Sequence, residues 1–392
     1  MKYDFDKVIP RKNTNSIKWD YSEKFFGVDD ILPMWIADMD FETVPEIKDA
    51  IIERAQHNIY GYSNYSDEYY QTVIDWNKKR HDWTIDKDWI CHSTGVVNAM
   101  FNSVRALTKK DDGIIIQTPV YQPFYRVISA YGCKAVFNPL KVVNNRYVPD
   151  IKDLENKLQN NNVKLLLLCN PHNPVGRVFT KEELLNIGEL CLKYKVTVIS
   201  DEIHSDIVFK EYKHIPFASL SKDFEQNSII CTSPSKTFNL AGIADSNIII
   251  PNRELRNRYN RTCKSVALKS YNIFGAIAAQ AAYAYGEEWL SELLDYIEEN
   301  KNYVSNFLKN KLPMLKLTET EGTYFLWIDC REMGFNKEML ERFMIYTAKL
   351  WFNQGYVFGV EGEGFIRINI ACSRTIVKEA MNRLEKAVNS MV

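Results

Sequence analysis

The sequence predicts an α/β protein with a mainly parallel central sheet flanked by helices, joined to a smaller α+β unit. Three observations carry that expectation. Short apolar runs bounded by turn formers recur through the middle of the chain, helical patterns lie between several of them, and the C-terminal part changes character to a long amphipathic helix followed by scattered short elements. At 392 residues the chain also exceeds what one hydrophobic core usually spans, which favours two domains.

Taken in order, Thr94-Gly95-Val96-Val97-Asn98 opens a helix after Trp89–His92. Gly113–Gln117, Lys164–Cys169, Val196–Ser200, Ser228–Cys231 and Asn247–Ile250 follow. Each is a few residues long and bounded by Gly, Pro, Asn, Asp or Ser, the pattern of strands buried on both faces. Lys181–Lys195 reads as a helix: Thr180 can cap it, Glu183 completes a capping box, and Leu184, Ile187, Leu190 and Cys191 form a stripe. Such alternation implies parallel pairing with helices on both faces. In the tail, Glu288–Leu312 carries Leu290, Leu293, Leu294, Ile297, Val304, Phe307 and Leu308 at helical spacing. Tyr324–Ile328 is a further apolar run, Lys337–Gln354 reads as helix, Phe365–Ile370 as strand, and a last helix follows Ser373. The expected division is a large domain over 46–287 and a small one over 1–45 and 288–392, with the N-terminal arm packed beside the tail.

Composition narrows the function classes. A chain 46% hydrophobic and 25% charged is ordinary globular material, which excludes disorder and coiled coil. With 49 basic and 50 acidic residues the net charge is −1, which argues against nucleic acid or an anionic membrane as partner. The eight cysteines form no C-x-x-C pair or His/Cys cluster, so reduced thiols are expected, with neither disulfides nor a metal site. MKYDFDKVIPRKN carries acids and lacks an apolar signal region, and no apolar stretch approaches the roughly 18 residues of a bilayer span. A cytoplasmic protein is expected.

In open α/β sheets the chemistry gathers at the carboxyl ends of the strands. Here Leu165–Cys169 is followed by Asn170-Pro171-His172-Asn173-Pro174-Val175-Gly176, and Val196–Ser200 by Asp201-Glu202-Ile203-His204. Ile229–Cys231 is followed by Thr232-Ser233-Pro234-Ser235-Lys236-Thr237. Each alone has a bland reading, since Pro and Gly fix chain reversals and an aspartate can cap a helix. Together they have one economical chemical account. Pyridoxal phosphate needs a lysine amine to condense with its aldehyde and a carboxylate to keep its pyridine nitrogen protonated. Lys236 supplies the first and Asp201 the second, while Asn173 can donate to the ring oxygen.

The succession Asn173, Asp201, Lys236 is similar to that of the fold-type I pyridoxal-phosphate transferase superfamily, typified by aspartate aminotransferase. Longer strings resemble the MalY/PatB-type C–S β-lyases, a group that includes cystathionine β-lyases. They are Lys18-Trp19-Asp20, Trp35-Ile36-Ala37-Asp38-Met39-Asp40-Phe41, Asn170-Pro171-His172-Asn173-Pro174, Asp201-Glu202-Ile203-His204 and Ser235-Lys236-Thr237-Phe238-Asn239. The matches run from the N-terminal arm to Arg367, essentially the whole chain.

The resemblance implies roles that can be weighed physically. Tyr121 would stack on the cofactor ring, although one of 22 tyrosines is also a natural core residue. Gly95, Val96 and Val97 would offer backbone amides to the phosphate at a helix N-terminus. Ser233 would add a hydroxyl, with Ser235 as a second. Where aspartate aminotransferase places a phosphate-binding arginine this chain has Ala244, so amides and hydroxyls are left to hold the phosphate. A tyrosine near Tyr62 would reach the neighbouring subunit's phosphate in a homodimer, and Tyr60, Tyr62 and Tyr65 are all candidates. His204 would tune the ring oxygen or support Asp201. Arg367 would grip the substrate α-carboxylate with its guanidinium fork, and Trp35, Ala37 and Asp38 would border the substrate entrance.

The implied reaction is α,β-elimination from L-cystathionine or a related L-cysteine thioether, giving a thiol, pyruvate and ammonia. Lys236 would carry the Cα proton. An aminotransferase, acting on an amino acid and a 2-oxo acid, would use the same Asn, Asp, Lys and Arg and is the alternative.

Overall fold

A computed structural model describes residues 2–160, 162–268 and 271–391. The apolar runs of the middle become strands because both faces find cover. Numbered in chain order, the central sheet comprises β1 (Ile90–Ser93), β2 (Gly113–Ile116), β3 (Lys134–Phe137), β4 (Val163–Cys169), β5 (Thr197–Asp201), β6 (Ser228–Thr232) and β7 (Ser246–Ile249). Their spatial order is β1-β7-β6-β5-β4-β2-β3. Pairs from β6 through β5, β4 and β2 to β3 are parallel, and β7 runs antiparallel to both β6 and β1. The sheet is therefore mainly parallel, as predicted.

Alternate residues feed two cores. Ile114, Ile116, Leu165, Leu167 and Ile199 pack with Val96, Ala99 and Met100 of the helix Val96–Leu107 on one face. Ile115, Leu166, Leu168 and Val198 pack with Leu184, Ile187 and Cys191 of the helix Lys181–Lys193 on the other. The capping box at Thr180 and Glu183 is formed as expected. The strand β3 lies outside the predicted set. It is an edge strand, and Lys134, Ala135 and Phe137 face solvent, so its run lacks the continuous burial that marks its neighbours.

The tail forms a second, antiparallel sheet in the order Lys316–Leu317, Phe325–Asp329, Phe365–Asn369, Asn353–Gln354. It shares a core with the helices Glu287–Lys311 and Arg374–Asn389. The N-terminal arm joins it: Leu32–Pro33 pairs in parallel with Leu350–Trp351, and Trp35 stacks on Trp351 at 4.3 Å. The helix expected over Lys337–Gln354 is corrected. It ends at Arg342, passes through a π-turn over Phe343–Thr347, and turns at Lys349, whose φ is 55°. Leu350 and Trp351 then leave the helix because the arm offers them a strand partner.

Phe358, which lies beneath the Arg367 guanidinium, is set by the turn over 355–362: its carbonyl accepts from the Val120 N–H and the Tyr125 hydroxyl. That turn closes so tightly that a Cβ on Gly355 would lie 2.0 Å from the Gly362 carbonyl oxygen. No rotamer can relieve a backbone clash, so Gly355→Ala is expected to cost about 3 kcal/mol. Thermal melting checks it, and an unchanged midpoint would contradict the packing. Among the described residues no helix is long and apolar enough to cross a membrane.

Candidate active site

The carboxyl ends of β4, β5 and β6 meet at one cavity of about 180 Å³. The turn after β4 brings Asn173, β5 ends on Asp201, and β6 leads through Ser233 into the helical turn Pro234–Thr237 that carries Lys236. Of the residues expected at the site, Gly95, Val96, Val97, Tyr121, Asn173, Asp201, His204, Ser233 and Lys236 all line this cavity. Ser235 and Ala244 line it as well.

The reactive groups are desolvated. Lys236 Nζ donates to the Ala37 carbonyl at 2.7 Å, and the Tyr324 hydroxyl donates to the same oxygen at 3.1 Å. Burial pushes the Lys236 amine down to about 8. Burial pushes the Asp201 carboxyl up to about 7, against the pull of the Ile203 N–H, which donates to Oδ1 at 3.2 Å. A buried carboxyl so raised is relieved by a cationic or proton-sharing nitrogen placed against it. His204 is held well below its ordinary range, mainly by burial, and is therefore a neutral imidazole. Its Nδ1 is buried with no hydrogen-bond partner among the described residues.

In the same cavity wall the helix Val96–Leu107 begins at Gly95 without a side-chain cap, which leaves first-turn amides for an anion. A Cβ on Gly95 would meet nothing within 4 Å, so the approach is open. Ser233 Oγ lies 2.9 Å from Ser235 Oγ and 2.6 Å from the Asp245 carbonyl oxygen. The wall thus offers both an anion site and a carboxyl for a basic nitrogen. The aromatic Tyr121 and His204 line the same cavity, and a planar ring bearing a phosphate fits that set of groups.

Arg367 lies beside the cavity rather than in its wall. It stands on the strand Phe365–Asn369 and is buried over the Phe325 ring at 3.9 Å. Its Nη1 donates to Asn173 Oδ1 at 2.8 Å, and Nη2 donates to the Trp35 carbonyl at 2.8 Å and to Asn353 Oδ1. Because a guanidinium only donates, Asn173 must turn its oxygen to Arg367, which leaves the Asn173 Nδ2 amide free to face a ligand. Burial lowers Arg367 to about 10.

Tyr62 is not brought to the cavity within one chain, and its side chain is fully exposed. Tyr60 donates to the Ala55 carbonyl, and Tyr65 stacks on His92 and donates to Asp245. Sequence reasoning missed the carbonyls of Trp35 and Ala37, Tyr324 and Asn353. A backbone oxygen has no residue-type signature, and Tyr324 and Asn353 become neighbours of the site only through the pairing of the small sheet.

Residues 29–384 match the family described as aminotransferase class I and II, and the chain belongs to that family. It is 42% identical to cystathionine beta-lyase PatB of Bacillus subtilis (strain 168) over 98% of this chain and 100% of that protein. It is 32% identical to protein MalY of Escherichia coli (strain K12), over 99% of this chain and 100% of that one. Among solved structures, cystalysin of Treponema denticola, which contains a pyridoxal 5′-phosphate cofactor, superposes with a TM-score of 0.97 at 38% identity, covering 100% of both chains.

Proposed function

We propose that this chain is a pyridoxal-phosphate-dependent carbon–sulfur β-lyase that converts L-cystathionine and related L-cysteine thioethers to a thiol, pyruvate and ammonia. A desolvated lysine, Lys236, and a buried carboxyl, Asp201, in the wall of one cavity beside a buried arginine support the cofactor, and the observation that carries the lyase reading is the 42% identity to a cystathionine beta-lyase over the whole of that protein. The names of the relatives point to elimination at a thioether. When bound, pyridoxal 5′-phosphate supplies an aldehyde for amine exchange and a protonated ring that draws electrons from the substrate Cα.

The chain's own residues do the rest. Asp201 would hold the proton on the ring nitrogen, and the Gly95, Val96 and Val97 amides with Ser233 would hold the phosphate. Tyr121 would cover the ring, and Asn173, with its oxygen committed to Arg367, would offer Nδ2 to the ring oxygen. His204 supplies the neutral imidazole beside it. Arg367 receives the substrate α-carboxylate, and Trp35, Asn173 and Asn353 fix the guanidinium plane. Lys236, whose amine burial lowers to about 8 and so brings within reach of the neutral form, would take the Cα proton. The electron pair left beside Cβ expels the thiolate, and water completes the conversion to pyruvate and ammonia.

Incubation with L-cystathionine should release thiol and pyruvate with no 2-oxo acid added. Strict dependence on a 2-oxo acid, with a new amino acid formed, would replace this reading by the aminotransferase. Arg367→Met should raise KM for L-cystathionine about 100-fold, since a charge-assisted pair to the carboxylate is worth roughly 3 kcal/mol. A change confined to kcat would argue against carboxylate binding there.

The assembly that fits is a homodimer. Of the three candidate tyrosines, Tyr62 is the most exposed, which favours it for the neighbouring phosphate. The reading includes a cytoplasmic location, and a division into a cofactor domain over 46–287 with 1–45 and 288–392 as the second.

A further inference from the structure

The N-terminal arm holds a buried ion cluster that the reaction as described leaves unused. Lys18 is 1% exposed, and its Nζ lies 2.7 Å from Asp40 Oδ2 and 3.7 Å from Asp38 Oδ1. Arg11 bridges the same carboxylates, with Nη2 2.7 Å from Asp38 Oδ2 and Nη1 2.7 Å from Asp40 Oδ1. The Trp19 indole donates to Asp40 Oδ1 at 2.9 Å. Burial alone would raise the Asp40 carboxyl, but Lys18, Trp19 and Arg11 together outweigh it and hold the group below its ordinary range. Burying such charges adds little net stability, and its best-attested use is to specify one geometry.

The geometry specified here is that of the backbone from Trp35 to Asp40. The Trp35 carbonyl accepts from Arg367 and the Ala37 carbonyl from Lys236, while Asn369 Nδ2 donates to the carbonyls of Ile36 and Asp38 at 2.7 Å each. The Asp38 carboxylate thus hangs one residue beyond the oxygen on which the Lys236 amine rests. We propose that Asp38 is a positioning residue for Lys236: clamped by Arg11 and Lys18, it fixes the Ala37 carbonyl that seats the amine and holds its charge one residue from that seat.

Three charged groups act on Lys236 electrostatically: Asp38 from the arm, Asp201 from β5 and Arg367 from the small sheet. The Tyr324 hydroxyl and the neutral His204 ring stand beside them. Burial lowers the amine most; Asp38 opposes it more than Asp201 does, and Arg367 reinforces it. Asp38 is the one of these charges with a cation, Arg11, bonded to it from outside the cavity wall. Its effect on the lysine can therefore be changed in either direction.

The proposal rests on Lys236 being the reacting amine, and the two are tested separately. Borohydride reduction of the holoenzyme should fix pyridoxal phosphate on Lys236; failure to do so removes the functional reading itself. For Asp38, the full-length chain stripped of cofactor is reductively methylated with formaldehyde across a pH series, and the modified Lys236 peptide is quantified by mass spectrometry. Asp38→Asn should move the labelling midpoint down by about half a pH unit, because a lost carboxylate no longer favours the ammonium. Arg11→Met should move it up, because Asp38 then acts without its counter-charge. Asp38→Glu, which keeps the charge, should label like the parent. Shifts of Asp38→Asn and Arg11→Met in the same direction, or no shift in Asp38→Asn, would overturn the proposal. Should Arg11→Met fail to fold, the contrast between Asp38→Asn and Asp38→Glu decides alone.

Discussion

Lys236→Ala is expected to lower thiol release from L-cystathionine by about 10⁴-fold, since one change removes both the covalent anchor and the group that moves the Cα proton. The fold should survive it. The lysine makes one hydrogen bond, to the Ala37 carbonyl, and Tyr324 still donates to that oxygen once the amine is gone. The amine is also desolvated, so its loss removes a group that burial disfavours. Thermal melting should therefore shift by no more than a few degrees while turnover collapses, and a small primary amine in the buffer should restore part of the rate. A variant that keeps a hundredth of the parent's turnover would remove Lys236 from the chemistry. One that melts tens of degrees early would instead assign it a structural role.

Much of this arrangement could be read before the chain was folded, and the reason is local. β2, β4, β5 and β6 announce themselves because strands covered on both faces need unbroken apolar runs, and the polar residues that end those runs must then stand at the sheet's edge. Asn173, Asp201 and Lys236 were visible for that reason. Arg367 was visible only through resemblance: on its own, Phe365-Ile366-Arg367-Ile368 reads as a strand with a surface charge, whereas the guanidinium is buried over Phe325. Where structure depends on a distant partner, periodicity failed. The run Leu340, Phe343, Met344 continues a helical stripe, and nothing nearby tells that Leu350 and Trp351 will pair with Leu32 and Pro33. The Trp35-Ile36-Ala37-Asp38 string was legible as a motif but silent on its use, because what it contributes to Lys236 and Arg367 is backbone carbonyls.

Asp201→Asn should separate activity from stability in opposite directions. Asparagine keeps the shape and can still accept from the Ile203 N–H, but it cannot balance a protonated ring nitrogen, so turnover should fall by about 10³-fold. In the cofactor-free chain the same change should stabilise. Burial raises the Asp201 carboxyl from 3.8 to about 7 in the folded state, so between those values the folded chain binds the proton more tightly than the unfolded one. Stability from this group is therefore full below pH 3.8, falls as pH rises to about 7, and stays lost above it. At pH 8 the parent carries a penalty of about 4 kcal/mol that the neutral asparagine avoids. The variant without cofactor should then melt ~5 °C higher than the parent at pH 8. At pH 5 most of that difference should vanish, since the folded parent's carboxyl is protonated there. Pyridoxal phosphate should reverse the order at pH 8, because its ring nitrogen pairs with Asp201 and has no such partner in the variant. A parent that outmelts Asp201→Asn at pH 8 without cofactor would mean that the carboxylate is already satisfied in the bare site, and its role as the ring's counter-charge would fall with that result.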